Sequence, residues 1–353
     1  MKIGILTSGG DCAGLNAVMQ GFVKTITLSN SKVEIYGIAN GYGGLISGEY
    51  KVLKPEEFYD ILKLGGTILG TSRQSYKKII QKNENDKAAR MKENYKKMGL
   101  DVLIILGGQG THKTAAFLAS EGLNIIALPK TIDNDVFGTD FTFGFHTAVS
   151  VATECIDRVE TTAASHGRIM LVEIMGNKVG WLALYAGIAS SADVILIPEI
   201  PYNIESVINA AKLAKKQKGY CIIVAAEGAI DKEDALFAQK NRMQKRIENI
   251  KMTASNKIAK AIEEKLGVET RVTVPGYIQR GGSPNAYDRV ICMQMGSFAA
   301  ELAKGRKYGV TVALNNGKMT YNSLASIAGK AKSVSLNHEM IRMAKDTGIS
   351  FGE

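Results

Sequence analysis

Two short apolar runs, Lys2-Ile3-Gly4-Ile5-Leu6-Thr7 and Asp101-Val102-Leu103-Ile104-Ile105-Leu106, each break at glycines and then run on into a helix. The first break is Ser8-Gly9-Gly10-Asp11-Cys12-Ala13-Gly14, with a helix expected over 15–26. The second is Gly107-Gly108-Gln109-Gly110-Thr111, leading to a helix over 113–120. Apolar runs of this length suit strands buried on both faces, as in parallel sheets joined by crossover helices. Glycines at a strand-to-helix turn bring backbone N–H groups and a helix N-terminus to one point, which suits phosphate. Neither turn is the dinucleotide GxGxxG fingerprint, and no Gly-Lys-Ser/Thr follows to make a P-loop.

The alternation continues along the chain. Further strands are expected over 33–39, 123–128, 168–174, 193–197, 220–226 and 269–274. Helices are expected over 83–97, 146–162, 180–190, 204–217 and 287–302, with a long charged helical segment over 232–266. Ala163-Ala164-Ser165 reads as a helix end, which makes His166 a cap rather than a catalytic histidine. No short tandem repeat is present. At 353 residues, two domains are the default. The expected fold class is α/β: two three-layer α/β/α Rossmann-like domains with mainly parallel sheets and an active-site cleft between them. One domain is expected to comprise residues 1–144 plus about 280–330, and the other 145–279 plus about 331–353.

Composition excludes several classes. Hydrophobic residues make up 45% and charged residues 22%, as in a soluble globular protein. No apolar run reaches the length of a membrane span and no secretion signal opens the chain, so no membrane partner and a cytoplasmic location are expected. Cys12, Cys155, Cys221 and Cys292 are scattered without CxxC spacing, which argues against zinc and a disulfide framework. The net charge of +10 falls largely in lysine-rich stretches that read as solvated helix faces. Their shortage of aromatic residues argues against nucleic acid as a partner and leaves anionic small molecules.

The polar residues gather at strand ends. Leu128-Pro129-Lys130-Thr131-Ile132-Asp133-Asn134-Asp135 follows an apolar strand, and Pro129 ends it, so two carboxylates and a hydroxyl fall at the carboxyl edge where open sheets bind ligands. One Asp there can take a proton from a substrate hydroxyl while a second holds Mg²⁺. A solvated turn is equally open on composition alone, because Asp and Asn favour turns. Gly65-Gly66-Thr67-Ile68-Leu69-Gly70-Thr71-Ser72-Arg73 is a further glycine loop whose arginine can bridge phosphoryl oxygens or simply face solvent. In the second half, Arg168, Glu227 and Arg271 stand at strand ends and Arg280 in the loop after the last. Arginines with a glutamate suggest a phosphorylated polyol, the guanidinium fork gripping phosphate and the carboxylate a hydroxyl.

Taken together, these stretches resemble the 6-phosphofructokinases, in the family's order across nearly the whole chain. The matching pieces are 6–11, 66–73, 107–111, 129–135, 165–168, 172–176, Glu227, Arg271 and 276–284, and Thr-Ile-Asp-Asn-Asp with Gln-Arg-Gly-Gly-Ser-Pro is the specific pairing. The resemblance implies phosphoryl transfer to the 1-hydroxyl of fructose 6-phosphate, giving fructose 1,6-bisphosphate in glycolysis. It implies a first domain that binds the phosphoryl donor and a second that binds the sugar phosphate. Asp133 would accept the proton, with Arg73, Thr131 and Lys130 also in the catalytic set. Gly10, Arg73, Gln74, Gly108, Gln109, Gly110 and Thr111 would hold the donor. Thr131, Ile132, Asp133, Met175, Gly176, Asn177 and Glu227 would hold the sugar, and Arg168, Arg271, Tyr277, Ile278, Gln279 and Arg280 the end that carries its 6-phosphate. Arginines matching Arg168 and Arg271 reach in from a neighbouring subunit in the family, which implies a homo-oligomer, a tetramer, with shared active sites.

Departures from the family pattern bear on metal and donor. Gln109 stands where many members carry an Asp that helps bind Mg²⁺, and an amide is a weaker ligand for a hard cation. The metal would then rest on Asp133, Asp135 and the donor phosphates. Asn177 replaces an arginine near the transferred group, and Glu160 an effector-binding arginine. Gly110 leaves room for the α-phosphate of ATP where pyrophosphate users carry Asp; Lys130 is the residue of pyrophosphate users. A steric and like-charge block discriminates more than one added attraction, so ATP is expected, with pyrophosphate the alternative. A remoter alternative is a non-catalytic subunit that binds sugar phosphate. The nucleotide kinases with a Gly-Gly-x-Gly-Thr cradle do not account for Gln279-Arg280-Gly281-Gly282.

Overall fold

The computed structural model describes residues 1–29, 32–81, 86–240 and 253–353. The chain divides into two compact units, Met1–Thr147 with Arg280–Lys332, and Ala148–Gln279 with Ser333–Glu353. Each is an α/β structure. Among the described residues, no helix is long and apolar enough to cross a membrane.

The first unit is built on a seven-stranded sheet. Its strands are β1 (Lys2–Ser8), β2 (Glu34–Ile38), β3 (Tyr50–Leu53), β4 (Val102–Gly107) and β5 (Ile125–Pro129). After the excursion through the second unit, which carries β6 (Ile169–Ile174), β7 (Val194–Leu196), β8 (Cys221–Ala226) and β9 (Thr270–Thr273), the chain adds β10 (Val310–Asn315) and β11 (Lys318–Ser323). The order is β11-β10-β5-β4-β1-β2-β3, parallel except for the antiparallel edges β3 and β11. Every residue of β4 and β5 is buried, which is why both read as unbroken apolar runs. Leu103 and Ile105 face Met91, Tyr95, Ala115 and Leu118 on one side of the sheet. The helices Leu15–Ser29 and Ala286–Lys304 pack on each other through Gly21 and Gly296; a Cβ on Gly296 would fall 2.3 Å from the Val18 carbonyl oxygen. Truncating a fully buried Ile such as Ile105 to Ala would cost about 2–5 kcal/mol.

In the second unit four parallel strands lie in the order β7-β8-β6-β9. Val207, Ala211, Ile258 and Ile262, from the helices Ile204–Lys218 and Ala254–Leu266, meet Ile169, Leu171 and Ile223 on one face. The first of these helices is closed at both ends. Asn203 Oδ1 accepts from the Glu205 and Ser206 amides, and Gly219 ends it at φ 88°. The helix Trp181–Ala189 packs on β7 and β8, approaching closely where Gly187 faces Ile195 and Val224.

Some expected boundaries differ. The helix placed over 113–120 begins at Gln109, so Gln109, Gly110 and Thr111 form its first turn rather than a loop before it. Glycine's low helix propensity hid that turn. The helix placed over 146–162 spans Phe145–His166, putting His166 in its last turn and not beyond it. The helix placed over 83–97 is described as Lys87–Lys97, capped by Asp86 accepting from the Ala89 amide; residues 83–85 lie outside the described residues. The 232–266 segment contributes the helices Lys232–Lys240 and Ala254–Leu266, and residues 241–252 lie outside the described residues.

Candidate active site

The first unit brings three loops to the carboxyl ends of β1, β4 and β5. After β1, Gly9 turns at φ 93°, a conformation that favours glycine. Its amide donates to the Ser72 carbonyl at 3.1 Å and its carbonyl accepts from Thr71 Oγ1 at 2.8 Å. Those bonds tie the 66–73 loop to the first glycine turn. Two guanidinium groups converge on the next glycine: a Cβ on Gly10 would lie 2.7 Å from Arg280 Nη1 and 3.3 Å from Arg73 Nη2. Arg280 donates from Nη1 to the Asp11 carbonyl at 3.3 Å, and its Nε is buried with no hydrogen-bond partner among the described residues. Gln74 accepts from Lys87 Nζ at 3.3 Å.

After β4, Gly108 caps the helix Gln109–Ser120 without a side chain, leaving the N-terminal amides of that helix free of a side-chain cap. Gly110 is exposed, and a Cβ there would meet nothing within 4 Å. Behind this turn His112 is buried, its Nδ1 2.9 Å from the Gly108 carbonyl and its Nε2 2.9 Å from Thr311 Oγ1. Burial lowers the His112 pKa to about 4, so its ring is neutral near pH 7.

After β5 the chain passes through Lys130, only 3% exposed, whose ammonium donates to the Gly10 carbonyl. Burial is the main cause of its lowered pKa. Thr131 Oγ1 accepts from the Asp133 amide at 3.1 Å, and the Thr131 carbonyl from Thr142 Oγ1 at 2.7 Å. Ile132 is buried beneath the turn. Asn134 stands at φ 53°, a left-handed conformation that Asn tolerates better than most residues. Its Oδ1 accepts from the Thr142 amide at 3.1 Å and from Lys332 Nζ at 2.9 Å. Asp133 and Asp135, both half-buried, flank this fixed residue. Burial and then the Asp133 charge push the Asp135 carboxyl up to about 6, and burial brings Lys332 down to about 8.

The second unit gathers its own set at the ends of β6, β8 and β9. Glu227 Oε1 accepts from the amides of Gly176 at 3.1 Å and Asn177 at 2.6 Å. Gln279, 1% exposed, accepts from the Met175 amide at 3.2 Å and donates to the Gly276 carbonyl at 3.2 Å. Tyr277 and Ile278 are exposed. A cavity of about 190 Å³ is lined by Glu173, Met175, Glu227, Val274, Gly276 and Tyr277. Apart from it, Arg168 Nε donates to Glu269 Oε2 at 2.7 Å, and Arg271 pairs with the other oxygen of the same carboxylate.

Within the first unit the structure thus brings Gly10, Arg73 and Arg280 together, and joins Lys130 to the first glycine turn. Within the second it joins Met175, Gly176, Asn177, Glu227 and Gln279. Sequence reasoning passed over His112, Thr311, Lys332, Glu173 and Glu269. His112 was adjacent to the cradle and could have been suspected; Thr311 and Lys332 lie about 180–200 residues from the residues they hold and carry no local signal.

The phosphofructokinase family model matches residues 2–303. The ATP-dependent 6-phosphofructokinase of Spirochaeta thermophila is 48% identical over 99% of this chain and 97% of its own length. ATP-dependent 6-phosphofructokinase 3 of Bacteroides thetaiotaomicron is 44% identical over the whole of both chains. Among solved structures, the pyrophosphate-dependent phosphofructokinase of Nitrosospira multiformis superposes with a TM-score of 0.82 over 99% of this chain and 92% of that one. Its 21% identity speaks for the fold and not for the donor. A match across nearly the whole chain, to relatives of the same length, places this chain in the phosphofructokinase family.

Proposed function

We propose that the protein is a cytoplasmic glycolytic kinase that transfers the terminal phosphoryl group of ATP to the 1-hydroxyl of fructose 6-phosphate. The observation that carries this reading is the Asp133 turn, fixed by Thr131 and Asn134 at the end of β5, beside the glycine turn that ends β4. Asp133 accepts the proton of the 1-hydroxyl as that oxygen bonds to phosphorus and the bridging oxygen leaves with ADP. Arg73, beside Gly10, offsets charge on the transferred group. Gly10, Gln74, Gly108, Gln109, Gly110 and Thr111 hold the donor, with Lys130 supporting the first turn from below.

The sugar falls to Thr131, Ile132 and Asp133 together with Met175, Gly176, Asn177 and Glu227. Its 6-phosphate end falls to Tyr277, Ile278, Gln279 and Arg280, and to Arg168 and Arg271 of a neighbouring subunit in a homotetramer. Arg280, beside Gly10, would bridge the two substrates. Glu269 keeps Arg168 and Arg271 side by side, which supports their acting as one anion-binding pair.

Among the described residues no three His, Cys, Asp or Glu side chains cluster as a metal site, so a divalent cation would rest on two acids and the donor's own phosphate oxygens. The raised Asp135 pKa reflects a buried carboxyl beside a second acid, a hard-oxygen set that Mg²⁺ would relieve. Asp135 and Asp133 would hold it with the donor phosphates, and Gln109 would contribute at most a weak ligand. Once bound, the ion neutralises phosphate charge and orients the terminal phosphoryl group.

ATP is favoured over pyrophosphate by the open space at Gly110 and by the donor named for the Spirochaeta thermophila and Bacteroides thetaiotaomicron relatives. Lys130 is the observation on the other side, and its ammonium already serves the Gly10 carbonyl. A coupled assay with fructose 6-phosphate, measuring kcat/KM with ATP and with pyrophosphate on one preparation, tests the reading. A clear preference for pyrophosphate would reverse the donor, and no turnover with either would leave a sugar-phosphate-binding protein.

A further inference from the structure

Glu173 is the penultimate residue of β6, paired with Ala225 in β8. Strand alternation turns it to the same face as Ile169 and Leu171, which form the core against the helices of that face. A carboxylate at this position breaks the apolar pattern of the strand. It is 8% exposed, and its Oε2 is buried with no hydrogen-bond partner among the described residues. Buried polar atoms are nearly always hydrogen-bonded, because an unpaired one forfeits its hydration without recompense. An orphaned carboxylate oxygen therefore points to a partner that is not part of the chain.

A cavity beside the same carboxylate offers room for such a partner. Glu173 lines the 190 Å³ space together with Glu227, Met175, Val274, Gly276 and Tyr277. Its two carboxylates repel phosphate and present acceptors to hydroxyl groups. Glu227 is already engaged by the Gly176 and Asn177 amides through one oxygen, whereas Glu173 Oε2 has no partner among the described residues. We infer that Glu173 is a sugar-recognition residue, accepting a hydrogen bond from a ring or chain hydroxyl of the bound sugar phosphate. This rests on the proposed function and adds to it the residue that reads the polyol rather than its phosphate. In the absence of sugar that oxygen stays unpaired, a cost in stability set against recognition.

The opposing requirements give the test. Glu173→Leu replaces the orphaned acid with an apolar side chain of similar size. It should raise Tm by about 2 °C or more while raising KM for fructose 6-phosphate about 10- to 100-fold. KM for ATP should stay within about twofold, a split that general damage to the fold would not produce. Glu173→Gln, which keeps the volume and one acceptor, should raise the sugar-phosphate KM by a smaller factor and serves if the leucine variant does not fold. Unchanged KM for fructose 6-phosphate in both variants, or a fall in Tm with equal losses for both substrates, would overturn the assignment. Wild-type turnover is measured first. Its absence would sink the functional reading, whereas normal wild-type turnover with an unchanged variant KM sinks the role of Glu173 alone.

Discussion

His112 Nε2 lies 2.9 Å from Thr311 Oγ1, joining the first turn of the helix Gln109–Ser120 to β10 across 199 residues of sequence. The same Thr311 hydroxyl lies 3.2 Å from the Ala127 carbonyl of β5, so one buried side chain sits between the helix that follows the Gly108 turn and the strand that leads to Asp133.

Burial of the His112 ring makes stability depend on pH. The folded-state pKa of His112, about 4, lies below its ordinary value of 6.5, so between those values the unfolded chain binds more protons than the folded one. Stability is therefore lost as pH falls from about 6.5 towards 4, by roughly 3 kcal/mol in all. Thermal melts of wild type and His112→Phe across that range should converge as pH drops, because the variant lacks the titrating ring. Parallel curves would show that His112 does not contribute.

In the proposed reaction Asp133 would act as base only while the proton is in flight. Asp133→Asn should lower kcat by at least about 10²-fold and leave KM for fructose 6-phosphate nearly unchanged. Because the turn is held by the Asp133 backbone amide and by Asn134, the variant should keep its fold, as circular dichroism would check. Undiminished turnover would remove Asp133 from the role.

Gly110→Asp probes the donor. A Cβ at Gly110 meets no atom within 4 Å, so the new side chain is accommodated in the empty protein and the melting temperature should hold. Its carboxylate would stand against the α-phosphate of ATP, and kcat/KM with ATP should fall by about 10²-fold or more while any pyrophosphate activity is spared. Retained ATP turnover would place the nucleotide elsewhere.

Shared active sites can be tested by subunit mixing. Arg168→Ala and Asp133→Asn chains, each inactive alone, should recover part of the wild-type rate once hybrids form, because some sites then carry neither lesion. Loss of Arg168 also leaves Glu269 with Arg271 as its remaining arginine partner, a half-exposed pair of small energetic weight. No recovery after proven exchange would mean that each site is built from one chain.

Most of the first-unit loops that form the candidate site were legible in the sequence because their signals are local. A strand that ends in Gly-Gly, or in Pro followed by a polar turn, states its own conformation within a few residues. The runs over 101–106 and 123–128 became β4 and β5 within two residues because both are buried on both faces. What the chain could not state locally was decided by contacts between distant segments. Propensity placed the helix after β4 four residues late, since only packing and the His112 link make Gln109-Gly110-Thr111 helical. The hairpin of β10 and β11 supplies Thr311, and the chain beyond it supplies Lys332, whose ammonium fixes Asn134 between the two acids. Glu173 sat unnoticed inside the matched stretch 172–176, because a carboxylate in a strand is ordinary until one of its oxygens is known to be buried without a partner among the described residues. Local backbone preference is written in neighbouring residues, whereas burial, and the cost of leaving a polar atom unpaired, exist only once remote parts of the chain have closed around it.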